Sequence, residues 1–216
     1  MNNHEKWNRI WKNYAIINKN KIKFIYHLFN FPNIPRNNYI LDLGCGTGDF
    51  LDILKYNGFK NIFGIEPQSD LIKDKELNIK QSSILDEPDL NYINKFDIII
   101  ITGVLHHLKD REEIKLSLSN IIKYTKKGSL VFLVEPRNST LRKLATIALI
   151  KSPEFIFKLL PLRCYLEREL LLQEKIEMNK YLAYAHLLNQ DFKKYNIMPV
   201  TIKEDWKMQY NVYVVN

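Results

Sequence analysis

The residues best suited to chemistry begin with Asp42-Leu43-Gly44-Cys45-Gly46-Thr47-Gly48, where glycine recurs at every second position directly after a short apolar run. Glycine accepts positive φ and lets backbone approach a bound molecule, so such a turn between a buried strand and a helix aims N–H groups at a ligand. Glu66 closes the next apolar run, about twenty residues on, where a carboxylate in a doubly wound fold accepts hydrogen bonds from both hydroxyls of a ribose. The competing role for Glu66 is to cap the chain near Gln68. His106 and His107 follow the run FDIIIIT, and Glu135 ends a later one. Histidine titrates near neutral pH, so an imidazole at a strand end with a carboxylate to orient it is a candidate general base. His106 is the candidate for that work, with Glu135 as its partner or as a substrate ligand. His107 belongs to the same site, chiefly as a pocket-lining or helix-capping residue. The G-x-G-x-x-G fingerprint of nicotinamide enzymes is absent: its third glycine falls on Asp49 counted from Gly44, and on Leu51 counted from Gly46. A different nucleoside ligand is implied.

These residues need a scaffold that brings strand ends together. From about residue 39 the chain alternates short apolar runs with helical stretches: YILDL, a helix from about Gly48 to Tyr56, NIFGI, a mixed segment, NIKQS, a second helical stretch, FDIIIIT, a helix near Asp110–Tyr124, and a turn into SLVFLVEP. Continuous apolar runs joined by helical crossovers are buried parallel strands. Extended patterns return near IMPVTI and YNVYVV. The expectation is one α/β domain with a Rossmann-like, doubly wound, mainly parallel seven-stranded sheet and helices on both faces. Residues 1–36 form a helical extension, 37–136 the ligand-binding core, 137–190 a helical lid inserted after the fifth strand, and 191–216 the last strands.

Composition sets limits. With 46% hydrophobic and 26% charged residues, the chain is neither disordered nor a disulfide scaffold. Cys45 and Cys164 supply neither a disulfide framework nor a four-ligand zinc site, and no metal is expected. No apolar run approaches the ~20 residues of a membrane-spanning helix and the start lacks a secretory signal, so the expected location is cytoplasmic. The net charge of +8 is uneven: residues 1–36 carry seven Lys/Arg against one Asp/Glu and 137–168 carry seven against two, flanking a core with twelve against fifteen.

On these residues the sequence resembles the class I S-adenosylmethionine-dependent methyltransferases. LDLGCGTG is similar to their first motif, FGIEP to their ribose-binding strand end, FDIIIITGVLHHL to their fourth-strand motif and KKGSLVFLVEP to their fifth strand. The resemblance implies S-adenosylmethionine as cofactor, whose net positive charge suits an acidic core. It places Asp42, Gly44, Cys45, Gly46 and Gly48 beside the methionine part, Glu66 on the ribose, Pro67 and Gln68 near sugar or base, and Ser83 and Ile84 at the adenine, with Gly103 a further cofactor-binding residue. Asp86 comes late for the acid that usually meets the adenine amine. Tyr14 and Trp11 of the leading helix are candidates to close over the cofactor, or simply to pack on the core.

The acceptor implied is a small molecule, methylated at oxygen. No Asn/Asp-Pro-Pro-aromatic motif follows the fourth strand and no cysteine has a pyrimidine-methylating context, so nucleic acid is not the expected partner. Arg137, Arg142, Lys143, Lys151 and Lys158 alternate with apolar runs in the lid. They either hold an anionic acceptor, or dock on anionic lipid as a peripheral membrane contact with a lipid or quinone-like acceptor, or form the solvated face of a packed helix. Outside catalysis, the alternative is an accessory protein that binds the cofactor.

Overall fold

The computed structural model describes residues 19–72, 76–136, 187–204 and 208–216. Trp11, Tyr14, Cys164 and most of the expected lid, with Arg137 and Arg142, lie outside the described residues. Helix α1 (Lys19–Leu28) turns Ile25 and Tyr26 inward, and Phe29 just beyond it stacks on Phe132 with ring centroids 4.7 Å apart. Pro32 and Pro35 stop the helix. The Arg36 guanidinium then donates to the carbonyls of Phe31, Pro32 and Ile34, satisfying backbone acceptors that the prolines leave unpaired.

Strand β1 (Ile40–Leu43), helix α2 (Asp49–Tyr56), β2 (Ile62–Glu66), β3 (Ile79–Gln81), β4 (Phe96–Thr102), helix α3 (Arg111–Tyr124), β5 (Thr125–Pro136), helix α4 (Leu188–Lys194), β6 (Ile197–Glu204) and β7 (Met208–Val215) follow. The strands make one seven-stranded sheet in the order β3-β2-β1-β4-β5-β7-β6. β1 to β5 are parallel, while β7 runs antiparallel to both β5 and β6. The expected mainly parallel, doubly wound sheet is present, with α1 and α2 on one face and α3 and α4 on the other.

Parallel strands are covered on both faces, which is why their sequences are apolar without alternation. Ile98, Ile100, Phe132 and Val134 meet Leu51 and Leu54 of α2 on one side. Leu41, Ile99, Ile101, Val131 and Leu133 meet Ile114, Leu118 and Ile121 of α3 on the other. Each such side chain contributes about 1.5–3 kcal/mol on burial, so the sheet and its two helical layers fix the strand ends firmly.

Two local expectations are corrected. The stretch between NIKQS and FDIIIIT is not a helix but tight turns with a single 3₁₀ turn, Leu90–Tyr92. Asp86 and Asp89 capture nearby backbone N–H groups with their side chains, offering the chain local hydrogen bonds in place of helical ones. The Lys126–Gly128 segment, expected as a turn before the fifth strand, is an irregularity inside β5. Thr125 already pairs with Phe96, and the register shifts before Ile98 meets Leu130. Among the described residues no helix is long and apolar enough to cross a membrane.

Candidate functional site

The carboxyl ends of β1, β2, β4 and β5 lie together, because the chain order reverses between β1 and β4 and leaves a crevice at that edge. The glycine turn leaves β1 there. Gly44 and Cys45 both donate to the Ile65 carbonyl, at 2.7 and 3.0 Å, tying the turn to β2. Gly44 has φ 72° and a Cβ at this position would sit 2.5 Å from Val104 Cγ2, so only glycine fits between the turn and the chain leaving β4. Gly46 and Gly48 also lie in the left-handed region, at φ 56° and 81°.

Glu66 makes the expected bond near Gln68 and one more, to the glycine turn. Its Oε2 accepts from Gly46 N at 2.8 Å and its Oε1 from Gln68 N at 3.0 Å, so the strand-end carboxylate organises both the glycine turn and the chain after β2. A carboxylate has about four acceptor positions, and two backbone donors leave capacity for a ligand's hydroxyls. Burial raises the Glu66 pKa, opposed by the hydrogen bonds from Gln68 and Gly46 and by nearby His107. Asp42, on neighbouring β1 opposite Gly64, is 4% exposed, and burial together with repulsion from Glu66 pushes its carboxyl up to about 7. Among the described residues neither carboxylate has a lysine or arginine ion-pair partner, which suits a ligand that brings its own positive charge.

The Cys45 thiol turns toward the core, where it closes over Gly64 of β2, and burial raises its pKa far above that of an exposed thiol. It is therefore no nucleophile, and only its backbone faces the turn's concave side. Ser83 N and Ser82 Oγ both donate to Asp86, while Ser83 Oγ accepts from Leu85 N. The acid that sequence placed late thus reaches back to the two serines. Ile84 is buried and its carbonyl accepts from Asn120 of α3, which fixes this loop beside the β2–β3 edge.

Across the switch point, Glu135 is fully buried at the end of β5. Its Oε1 accepts from the N–H groups of Val104 and Leu105 at 2.8 and 2.7 Å, and its Oε2 lies 2.9 Å from His106 Nδ1. One side chain therefore fixes the turn after β4 and the ring it carries. Gly103, at φ 69°, starts that turn and donates to the Val134 carbonyl. With Nδ1 donating to the carboxylate, Nε2 is the basic nitrogen of a neutral ring. His107 lies against His106, ring centroids 4.0 Å apart, and its charge bears on Glu66, so the histidine pair spans from Glu135 toward the glycine turn.

Sequence reasoning found Glu66, His106 and Glu135 but missed the Val104 and Leu105 N–H groups and Thr102. The backbone donors have no side-chain signature. The Thr102 hydroxyl, at the end of β4, is buried without a hydrogen-bond partner among the described residues, as is Gln68 Oε1. Among the described residues no group of three or more His, Cys, Asp or Glu side chains is arranged to hold a metal ion.

A family model described as a methyltransferase domain matches residues 18–199. Curated relatives from two strains of Helicobacter pylori, named tRNA U34 carboxymethyltransferase, are 29% identical over 62% of this chain and 56% of theirs, so the chain spans little more than half their length. Among solved structures, a Listeria monocytogenes protein provisionally described as an S-adenosylmethionine-dependent methyltransferase superposes with a TM-score of 0.59 at 12% identity, covering 89% of this chain and 98% of that one. An S-adenosylmethionine-dependent methyltransferase from Aquifex aeolicus gives 0.57 at 13% identity, covering 92% and 98%.

Proposed function

The chain belongs to the methyltransferase domain family, whose methyl donor is S-adenosylmethionine, and from that premise we propose that it methylates a hydroxyl-bearing small molecule with His106 as general base. The buried His106–Glu135 pair carries this reading, because it stands on the same sheet edge as the glycine turn and Glu66. The residues present fit the donor: two buried carboxylates without lysine or arginine partners among the described residues, and a glycine turn that admits no side chain at Gly44. When bound, the donor supplies a methyl carbon made electrophilic by its sulfonium. Glu66 meets the ribose hydroxyls, Asp42 and the Gly44–Gly48 backbone border the methionine part, Pro67 and Gln68 flank the sugar, and Ser83 and Ile84 border the base.

His106 Nε2 takes the acceptor's hydroxyl proton as the oxygen becomes nucleophilic. Glu135 holds Nδ1 so that the ring keeps one tautomer and orientation, and stabilises the imidazolium that results. The reaction also requires the acceptor oxygen in line with the methyl and water kept out. In His106→Ala, turnover should fall by about 10²–10⁴ while calorimetric affinity for S-adenosylmethionine stays within about twofold. Wild-type turnover in that variant, with chemistry rate-limiting, removes His106 as base.

A second acceptor class is favoured by the Helicobacter pylori relatives, whose name specifies tRNA. Protein incubated with methyl-labelled donor and either a metabolite extract or total tRNA separates the readings. Label precipitating with tRNA favours the nucleic-acid acceptor, label in the aqueous small-molecule fraction favours the hydroxyl metabolite, and label in the organic phase favours a lipid or quinone acceptor. A cytoplasmic location is part of the same proposal.

A further inference from the structure

Arg111 opens α3 and meets Asp191 of α4 in a two-pronged ion pair, Nε to Oδ2 at 2.8 Å and Nη2 to Oδ1 at 2.7 Å. Asp191 is only 1% exposed, and the exposed Lys194 approaches it more distantly, at 4.0 Å. Docking of α3 does not call for this pair, since Ile114, Leu118 and Ile121 already seat the helix on the sheet with no exposure. The Arg111 side chain stays one-third exposed, so the pair adds little stability, but its fork fixes the relative placement of two elements.

The elements it fixes matter. α3 begins only four residues after His107, behind Leu108, which is itself buried, and the Asp110 side chain caps the helix by accepting from Glu112 N and Glu113 N. The path from Arg111 back to His106 is therefore short and pinned along its length. On the other side, α4 is anchored in the core, where Phe192, next to Asp191, stacks on Tyr213 at 4.4 Å.

We propose that Arg111 and Asp191 are positioning residues that hold the turn carrying His106 in register with α4, and so keep the His106 ring on Glu135. The proposal rests on the reading of His106 as base for its effect on turnover. Its structural content is tested without any acceptor, by ¹⁵N resonances of the His106 ring in histidine-labelled protein. In the wild type the neutral ring carries its proton on Nδ1. In Asp191→Asn, and in Arg111→Lys, which keeps the charge but loses the fork, the ring should populate the Nε2-protonated tautomer as well. Methyl transfer to the active fraction of the extract should fall roughly tenfold to a hundredfold, with a smaller change in donor affinity because Glu66 takes its hydrogen bonds from Gly46 and Gln68, not from the turn after β4. The swapped pair, Arg111→Asp with Asp191→Arg, should restore the wild-type tautomer.

An unchanged tautomer in a folded single variant overturns the proposal. So does a change that follows a general loss of melting temperature and is not restored by the swap. If instead His106→Ala keeps its turnover, the base reading fails while the tautomer result still decides the role of the pair.

Discussion

Asp42 and Glu66 place two buried carboxyl groups two positions apart in register on neighbouring strands, and the balance of charge between them sets how the site responds to pH. The folded Asp42 pKa of about 7 lies well above the ordinary value for an aspartate, so folding favours its protonated form. Its contribution to stability is fully present below about pH 4 and is lost as pH rises toward 7. Chemical denaturation at a series of pH values should show wild-type stability falling over that window relative to Asp42→Asn, and the difference should level off above it. Binding of a cationic donor favours the ionised form, so affinity should climb toward neutral pH in the wild type and flatten in Asp42→Asn. A parallel pH course in both proteins would remove Asp42 from the donor site. Gly44→Ala is a sharper case. The new Cβ meets Val104, whose N–H is held by Glu135, so relief must come from moving either the glycine turn or the His106 turn. Together with the left-handed φ, this should cost upwards of about 1 kcal/mol and weaken donor binding, measured by denaturation and calorimetry.

At the scale of elements, legibility followed from how local each cause is. The glycine turn, the run ending in Glu66 and the helix after Asp110 are written in neighbouring residues, and the structure has them within a residue of the expected bounds. The stretch from Ser83 to Lys95 was misread because its apolar spacing suits a helix, while Asp86 and Asp89 form local hydrogen bonds that compete with one. The bond between Arg111 and Asp191 joins residues eighty positions apart, and that between Glu135 and Val104 ends on backbone, so neither leaves a pattern in sequence. Asp110 offers a clean test at this scale. Its carboxylate accepts from Glu112 N and Glu113 N, and Asp110→Ala should cost about 1 kcal/mol and lower the melting midpoint by roughly 2–4 °C. A larger loss of activity than of stability would mark the start of α3 as part of the route to His106.

For the molecule as a whole, charge is divided between an acidic core and basic flanks. Residues 37–136 hold the carboxylates that suit a cationic donor, whereas the basic excess falls before and after them, where acceptor choice is expected. Salt should therefore affect acceptor KM more than donor affinity if the acceptor is anionic, a contrast read by titrating both between low and high ionic strength. The two would change in parallel if the basic segments were only a solvated surface.

The sheet order also dictates a sequence of events in time. β7 follows β6 along the chain yet lies between β6 and β5, with Gln209 opposite Glu135 and Met208 opposite Pro136. While the ribosome is still adding residues before Met208, β6 has no partner and the edge of β5 that bears Glu135 is bare. The strand that backs the His106–Glu135 pair is thus synthesised after both of its neighbours, and a nascent chain holds an unfinished sheet with a sticky margin until residues 208–215 emerge to close it.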